Sequence, residues 1–340
     1  MRVWLLILLS MIMVGCSSKD DLVLNVYNWS DYIDPEVVAE FEQIHGVRVI
    51  YDTFASNEEL LAKLEAGASG YDVIFPSDYM VEIMIEEQML SPIDKEKLVN
   101  FDKLSPNFID PPYDPECKYS IPFTYGTSGI GFNSEEVSKD VTSWDIFWDM
   151  DYAGRILLLD DMREVFGIAY KHLGYSVNDT DPQHLEEAKT LLMEQKQALL
   201  KYESTMNKDL LLNREAVLSH YWVGDMYQVI DEDDAFDFAI PEEGAVLFTD
   251  CMAIPANAPH KDLAHKFIDH ILSPVNAGRI INVIWYAMPI PDAMEYVEEE
   301  IRNDGNIFPS KEILDKCEFL TDLGEFNRAM DEAWTEIKMK

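Results

Sequence analysis

Basic side chains are what this sequence most lacks. Its 340 residues hold 26 Lys+Arg against 64 Asp+Glu, a formal net charge of −38. A protein that neutralises phosphates needs clustered Lys and Arg, so a nucleic-acid partner is excluded. Adhesion to an anionic membrane through a basic face is disfavoured for the same reason. Cysteine is scarce too. Cys16, Cys117, Cys251 and Cys317 are the only four, and no two form a C-x-x-C pair, which argues against a disulfide framework and against a zinc or redox site. The one Gly-x-Gly, Gly129-Ile130-Gly131, lacks the third glycine of a nucleotide loop, and neither G-x-S-x-G nor H-E-x-x-H occurs. His265 and His270 stand five apart, off a common helix face, and are expected at the surface rather than on a metal. No cofactor is implied.

What is present is a globular, acidic chain. Hydrophobic residues make up 48% and aromatics 11%, ample for a packed core, and the length predicts two domains without an internal repeat or low-complexity linker. One apolar run stands out, Val3 to Val14, which follows Arg2 and is interrupted only by Ser10. It is too short to span a bilayer and matches the core of a signal peptide. The Gly15-Cys16-Ser17-Ser18 that follows resembles the lipobox of bacterial lipoproteins, although Met13 stands where Leu is usual. That resemblance implies removal of residues 1–15 as a signal peptide, lipidation of Cys16, and work outside the cytoplasm on a lipid tether. An ordinary cleaved signal with an incidental cysteine is the competing reading. With Cys16 lipidated, three cysteines remain, so at least one thiol is free.

From residue 22 strand and helix signals alternate. Val23 to Tyr27 reads as a strand, and Asp34-Pro35 then caps a helix closed by Gly46. Residues 47–51 form the next strand. Ser56-x-x-Glu59 is a capping box before a Leu60, Leu61, Leu64 stripe that Gly67 ends. Strands are also expected at 71–75 and 155–159, and helices at 163–173, 182–200, 261–272 and 323–338. This alternation predicts an α/β protein with a mostly parallel sheet, in which ligands sit beyond the carboxyl ends of strands. The acidic run Asp231 to Asp234 reads as a solvated loop.

The segments after strands are the unusual ones. Asn28-Trp29-Ser30-Asp31-Tyr32 follows the first strand and Pro76-Ser77-Asp78-Tyr79 the third. Asp160-Asp161-Met162-Arg163-Glu164-Val165-Phe166, Tyr221-Trp222-Val223-Gly224-Asp225, Phe248-Thr249-Asp250 and Trp285-Tyr286 come later. Singly, each has a plain structural explanation: a turn-forming Asp, an N-cap, a core aromatic, or, for Asp161 and Glu164, capping-box spacing. Their recurrence, an aromatic beside a carboxylate at several strand ends, is what such explanations leave over.

Together these segments resemble the spermidine/putrescine-binding proteins that serve bacterial ABC importers. The resemblance runs from Leu24 to Tyr32 through Tyr119-Ser120-Ile121-Pro122-Phe123 and Ser128 to Asn133, then Asp160 to Phe166 and Ala253 to Ala258. It implies a two-lobed periplasmic-binding-protein-like (type II) fold with an interlobe cleft and strand crossovers as hinge. Lobe one would take residues 22–126 plus 250–294, and lobe two 127–249 plus 295–340. Carried over by position, it makes Trp29, Ser30, Asp31, Tyr32, Ser77 and Tyr79 ligand contacts from one side. Asp161, Glu164 and Trp222 come from the other, with Phe248, Asp250 and Tyr286 near the crossovers. It also implies a monomer without catalysis that hands a polyamine to permease subunits. Ser30-Asp31 and Phe248 look like the putrescine-preferring type, Tyr79 and Asp161 like the spermidine type, and Leu320 replaces a polar Gln. The chemistry suits a polyamine: four acids, Asp31, Asp161, Glu164 and Asp250, can meet ammonium groups. Aromatic faces can cover the methylenes between them. Three positive charges would neutralise four carboxylates better than two, which favours spermidine modestly. A receptor for another cationic or polar solute, a hydrolase built on paired carboxylates, and a surface adhesin are the alternatives.

Overall fold

A computed structural model describes residues 22–67 and 70–339. The apolar leader and Cys16 lie outside the described residues.

The first third alternates as expected. Strand β1 (Val23–Trp29) leads to helix α1 (Pro35–His45). Asp34 caps that helix by accepting from the Glu36 amide at 2.8 Å, and Gly46 closes it at φ 62°, where a side chain would be strained. Strand β2 (Arg48–Phe54) precedes α2 (Asn57–Glu65), whose Ser56 Oγ accepts from the Glu59 amide. Strand β3 is trimmed to Val73–Ile74 and feeds α3 (Asp78–Glu86). The long β4 (Ser120–Asn133) is followed by β5 (Ile156–Leu158), α4 (Met162–Leu173) and α5 (Pro182–Gln195). The chain continues through β6 (Leu199–Tyr202), α6 (Asn207–Leu212), β7 (Leu218–Trp222), α7 (Val223–Glu232), β8 (Phe236–Ala239) and β9 (Val246–Ala253). Helices α8 (Lys261–Leu272) and α9 (Pro274–Ile284), the short α10 (Glu299–Arg302) and α11 (Lys311–Leu314), β10 (Glu318–Phe319) and α12 (Phe326–Met339) complete it.

The sheet order is β2-β1-β3-β9-β4-β7-β5-β6, with β10 beside β9 and β8 beside β4. Two parallel blocks, β2-β1-β3 and β7-β5-β6, flank a middle that is antiparallel. The expectation of a mostly parallel sheet therefore holds for the blocks and fails between them. The reason is β4: its first half, Ser120 to Thr127, pairs with β9, and its second half, Ser128 to Phe132, with β7. One continuous strand thus crosses from block to block, and β9 runs back beside it. Both are buried along almost their whole length. Their sequences consequently show no alternation to mark them as crossovers.

Three local expectations are corrected. The helix expected over 182–200 stops at Gln195, and the next residues extend as β6 against β5. Asp231 and Glu232 belong to the last turn of α7 rather than to a loop, though both are exposed or nearly so. His265 is buried: its Nε2 accepts from the Asp94 amide at 2.9 Å and its Nδ1 lies 2.6 Å from the Lys261 carbonyl. His270, half-buried, reaches the Val37 carbonyl at 3.0 Å. Both histidines tie α8 to its neighbours instead of facing solvent. Cys117, Cys251 and Cys317 are all free thiols.

Candidate functional site

Beyond the carboxyl ends of the two parallel blocks lies a cleft of about 260 Å³, and all twelve residues singled out by sequence line it. Trp29 is the last residue of β1, and its indole N–H donates to the Phe75 carbonyl at 2.9 Å, which fixes the ring against Phe54. Trp222 is the last residue of β7 and faces Trp29 from the other block, ring centroids 6.3 Å apart. Ser30 and Asp31 are exposed at the mouth, Asp31 with φ 50°, a conformation Asp tolerates better than most residues.

The floor is built on β9. Phe248 and Asp250 stand two apart and so project to one face of the strand. Asp250 is held at both oxygens: Ser77 Oγ donates to Oδ1 at 2.6 Å and Tyr32 Oη to Oδ2 at 2.7 Å. Asn57 in turn donates to Ser77 Oγ, which orients that hydroxyl. Burial pushes the Asp250 carboxyl up to about 6, against the pull of its two hydrogen bonds. Tyr286 is set by Trp285, which ends α9 in the left-handed region at φ 59°. Its ring meets Tyr32 edge-on at 4.9 Å and Phe248 at 6.0 Å. Gly224 makes this possible, because a Cβ there would fall 2.2 Å from the Tyr286 ring.

Opposite, Asp161 caps α4 by accepting from the Glu164 amide at 3.0 Å and lines the cleft at the same time. The narrow cleft surrounds Asp161 with protein atoms although its side chain touches the open volume. That desolvation, with the charges of Glu58 and Glu164, raises it to about 7. Glu164 is buried and accepts from the Trp222 indole N–H at 2.9 Å. Tyr79 donates to Glu58 at 3.1 Å.

The sequence reading left three lining acids out of the site, Asp78, Asp209 and Asp225. Asp225, in the first turn of α7, accepts from Tyr286 Oη at 2.9 Å and is pushed up to about 7 by desolvation. Its only sequence signal was a position three residues after Trp222. Lys208 also lines the cleft, paired with Glu232 at 2.7 Å. Leu320 lies in the lining as well, as a buried apolar group.

Seven carboxylates beside aromatic faces, shared by two α/β blocks joined through crossing strands, define a receptor for a small cationic solute. The profile of the bacterial extracellular solute-binding protein family matches residues 36–309, and the chain belongs to that family. It is 35% identical over 328 residues to the spermidine/putrescine-binding periplasmic protein of Escherichia coli, covering 96% of this chain and 94% of that one. It is also 35% identical to the putrescine/cadaverine-binding protein of Pseudomonas aeruginosa, over 98% and 99% of the two chains. Among solved structures, the lipoprotein Tp0655 of Treponema pallidum superposes with a TM-score of 0.84 at 30% identity, over 94% of this chain and 100% of that one. The fold is the two-lobed, type II periplasmic-binding-protein architecture.

Proposed function

We propose that the protein captures a linear polyamine, putrescine or spermidine, between its lobes and delivers it to an ABC permease. The observation that carries this reading is the company these acids keep in the cleft. Asp250 from one block, and Asp161, Glu164 and Asp225 from the other, line a single cavity together with Trp29, Tyr32, Trp222, Phe248 and Tyr286. Ammonium groups need fixed carboxylates, since a buried unpaired cation is costly. The methylenes between them gain about 0.8 kcal/mol each on burial against flat rings. The names of the relatives agree with that chemistry. All twelve residues predicted from sequence take part in this proposal, and Asp225 joins them. The site binds and releases without catalysis, as a monomer.

Residues 22–126 with 250–294 form one lobe and 127–249 with 295–340 the other, and the change of strand partner along β4 at Thr127/Ser128 supports that division. Charges contributed by both lobes make closure favourable only around a ligand that meets both. Cys16 carries the lipid anchor. Membrane fractionation of Cys16→Ala tests this, and retention on the membrane would refute it.

A thermal-shift panel tests the ligand. A solute at 100 times its dissociation constant adds about 2.7 kcal/mol of stability. Putrescine or spermidine should raise the melting temperature. No shift with either, together with a shift from an amino acid or another cation, would overturn the assignment.

A further inference from the structure

Glu164 has a second neighbour, His220, that the polyamine chemistry leaves unused. His220 lies on β7 two residues before Trp222, so strand alternation sends both side chains toward α4. Trp222 donates to Glu164 Oε1, and His220 Nε2 lies 3.3 Å from Oε2. His220 is fully buried, its ring edge-on to Trp144 at 5.5 Å and within 6.5 Å of Phe147. Among the described residues, neither Glu164 Oε2 nor either nitrogen of His220 makes a hydrogen bond, and the 3.3 Å contact between them is not aligned as one.

Two orphaned polar atoms in apolar surroundings, facing each other, are costly unless they bond. A neutral imidazole carries one N–H and one lone pair, and a lone pair turned toward a carboxylate oxygen would be repelled. We infer that His220 Nε2 carries the proton and donates it to Glu164 Oε2, which makes His220 a positioning residue for the cleft. The imidazole and the Trp222 indole then hold one carboxylate oxygen each. The Glu164 carboxylate is fixed in plane, with its remaining lone pairs free for a ligand ammonium. Nδ1, unprotonated, has no hydrogen-bond partner among the described residues, so a second N–H there would have no acceptor. The bond rests on the 3.3 Å contact, closed by a small turn of the imidazole, whereas its effect on affinity rests on the polyamine reading.

Two measurements on the full chain test it. Imidazole ¹⁵N NMR should show His220 protonated at Nε2, and an unprotonated Nε2 overturns the inference. Calorimetry with putrescine and spermidine should find His220→Leu weakened about tenfold, the size expected for losing a hydrogen bond to a charged group. His220→Gln, which keeps a neutral donor, should stay within about threefold of the wild type, and His220→Leu should have no further effect in a Glu164→Gln background. Wild-type affinity in His220→Leu, or an equal loss in both backgrounds, refutes the positioning role. Should His220→Leu fail to fold, the spectrum and the Gln variant decide. Should the wild type bind neither polyamine, the ligand assignment fails alone, and the NMR measurement still settles the His220–Glu164 bond.

Discussion

Asp250→Asn should weaken the receptor and stabilise the free protein at the same time. The carboxyl is buried, about 5% exposed, and stands at about 6 instead of the ordinary 3.8. An acid whose value is raised in the folded state binds more protons folded than unfolded, so its ionisation costs stability as pH rises through 3.8 toward 6. By pH 8 the difference corresponds to a penalty of ~3 kcal/mol, an upper bound because the Ser77 and Tyr32 hydroxyls would relax around a neutral amide. Both hydroxyls can still serve the amide side chain: one donates to its oxygen, and the other accepts from its nitrogen. Tyr32 can then turn its own proton to Thr124 Oγ1, 2.8 Å away. The fold therefore keeps its bonds and loses a buried charge, and the melting temperature at pH 8 should rise by a few degrees. Binding moves the other way. A charge-assisted hydrogen bond to an ammonium contributes roughly 1.5–3 kcal/mol, so polyamine affinity should fall about 10- to 150-fold. Calorimetry and thermal melts on the same samples at pH 8 read both quantities. Affinity within twofold of the wild type would refute the role of Asp250 as a cation ligand, and a lower melting temperature would refute the assignment of strain to its charge.

Proton competition gives a second expectation. Asp161 and Asp225 stand at about 7 and Asp250 at about 6, and a cation favours their ionised forms. Polyamine affinity should be full above about pH 8 and at least roughly tenfold weaker at pH 5.5, with protons released on binding near neutrality. Stability of the free protein from these groups runs oppositely, rising as pH falls through the same range. A flat affinity profile between about pH 8.5 and 5.5 would overturn the picture of desolvated acids. The third expectation concerns Gly224. An alanine there drives its Cβ into the Tyr286 ring and to 2.5 Å from the Ile284 carbonyl, so Gly224→Ala should cost about 1–3 kcal/mol of stability. It should also displace the Asp225 partner and weaken binding. Unchanged melting and affinity would show that Tyr286 does not need its present seat.

The sequence was most legible where a local signal has one physical meaning. Asp34-Pro35 and Gly46 start and stop α1, and Asp161 and Gly174 do so for α4, because caps act on backbone groups a few residues away. The crossovers were not legible. β4 and β9 are covered on both faces, which removes the alternation that distinguishes strand partners, and their antiparallel pairing is set by residues more than a hundred positions apart. Helix α5 was overextended because no Gly or Pro follows Gln195 to stop it. Asp225 escaped notice because an acid in the first turn of a helix is favoured there on its own account. Only the approach of Tyr286 from α9 makes it part of the cleft. His220 carried no signal at all, since a histidine on a buried strand is defined by what faces it.

Net charge and cleft chemistry are separable properties of this chain. Most of the 64 acidic residues contribute to a solvated surface whose field on a cation is weakened by salt within about 10 Å. The cleft uses a handful differently: Asp161, Asp225 and Asp250 are desolvated and partly unwilling to ionise, and Glu164 is held at Oε1 by Trp222. An unstrained set of surface-like acids would bind a cation no more tightly than water-exposed pairs do, at most about 1 kcal/mol each. Concentrating like charges in a narrow cleft destabilises the unliganded state, and a ligand carrying two or three ammonium groups relieves that repulsion as it binds. The affinity thus comes in part from energy already stored in the fold. That is why substitutions such as Asp250→Asn are expected to separate stability from binding rather than lower both.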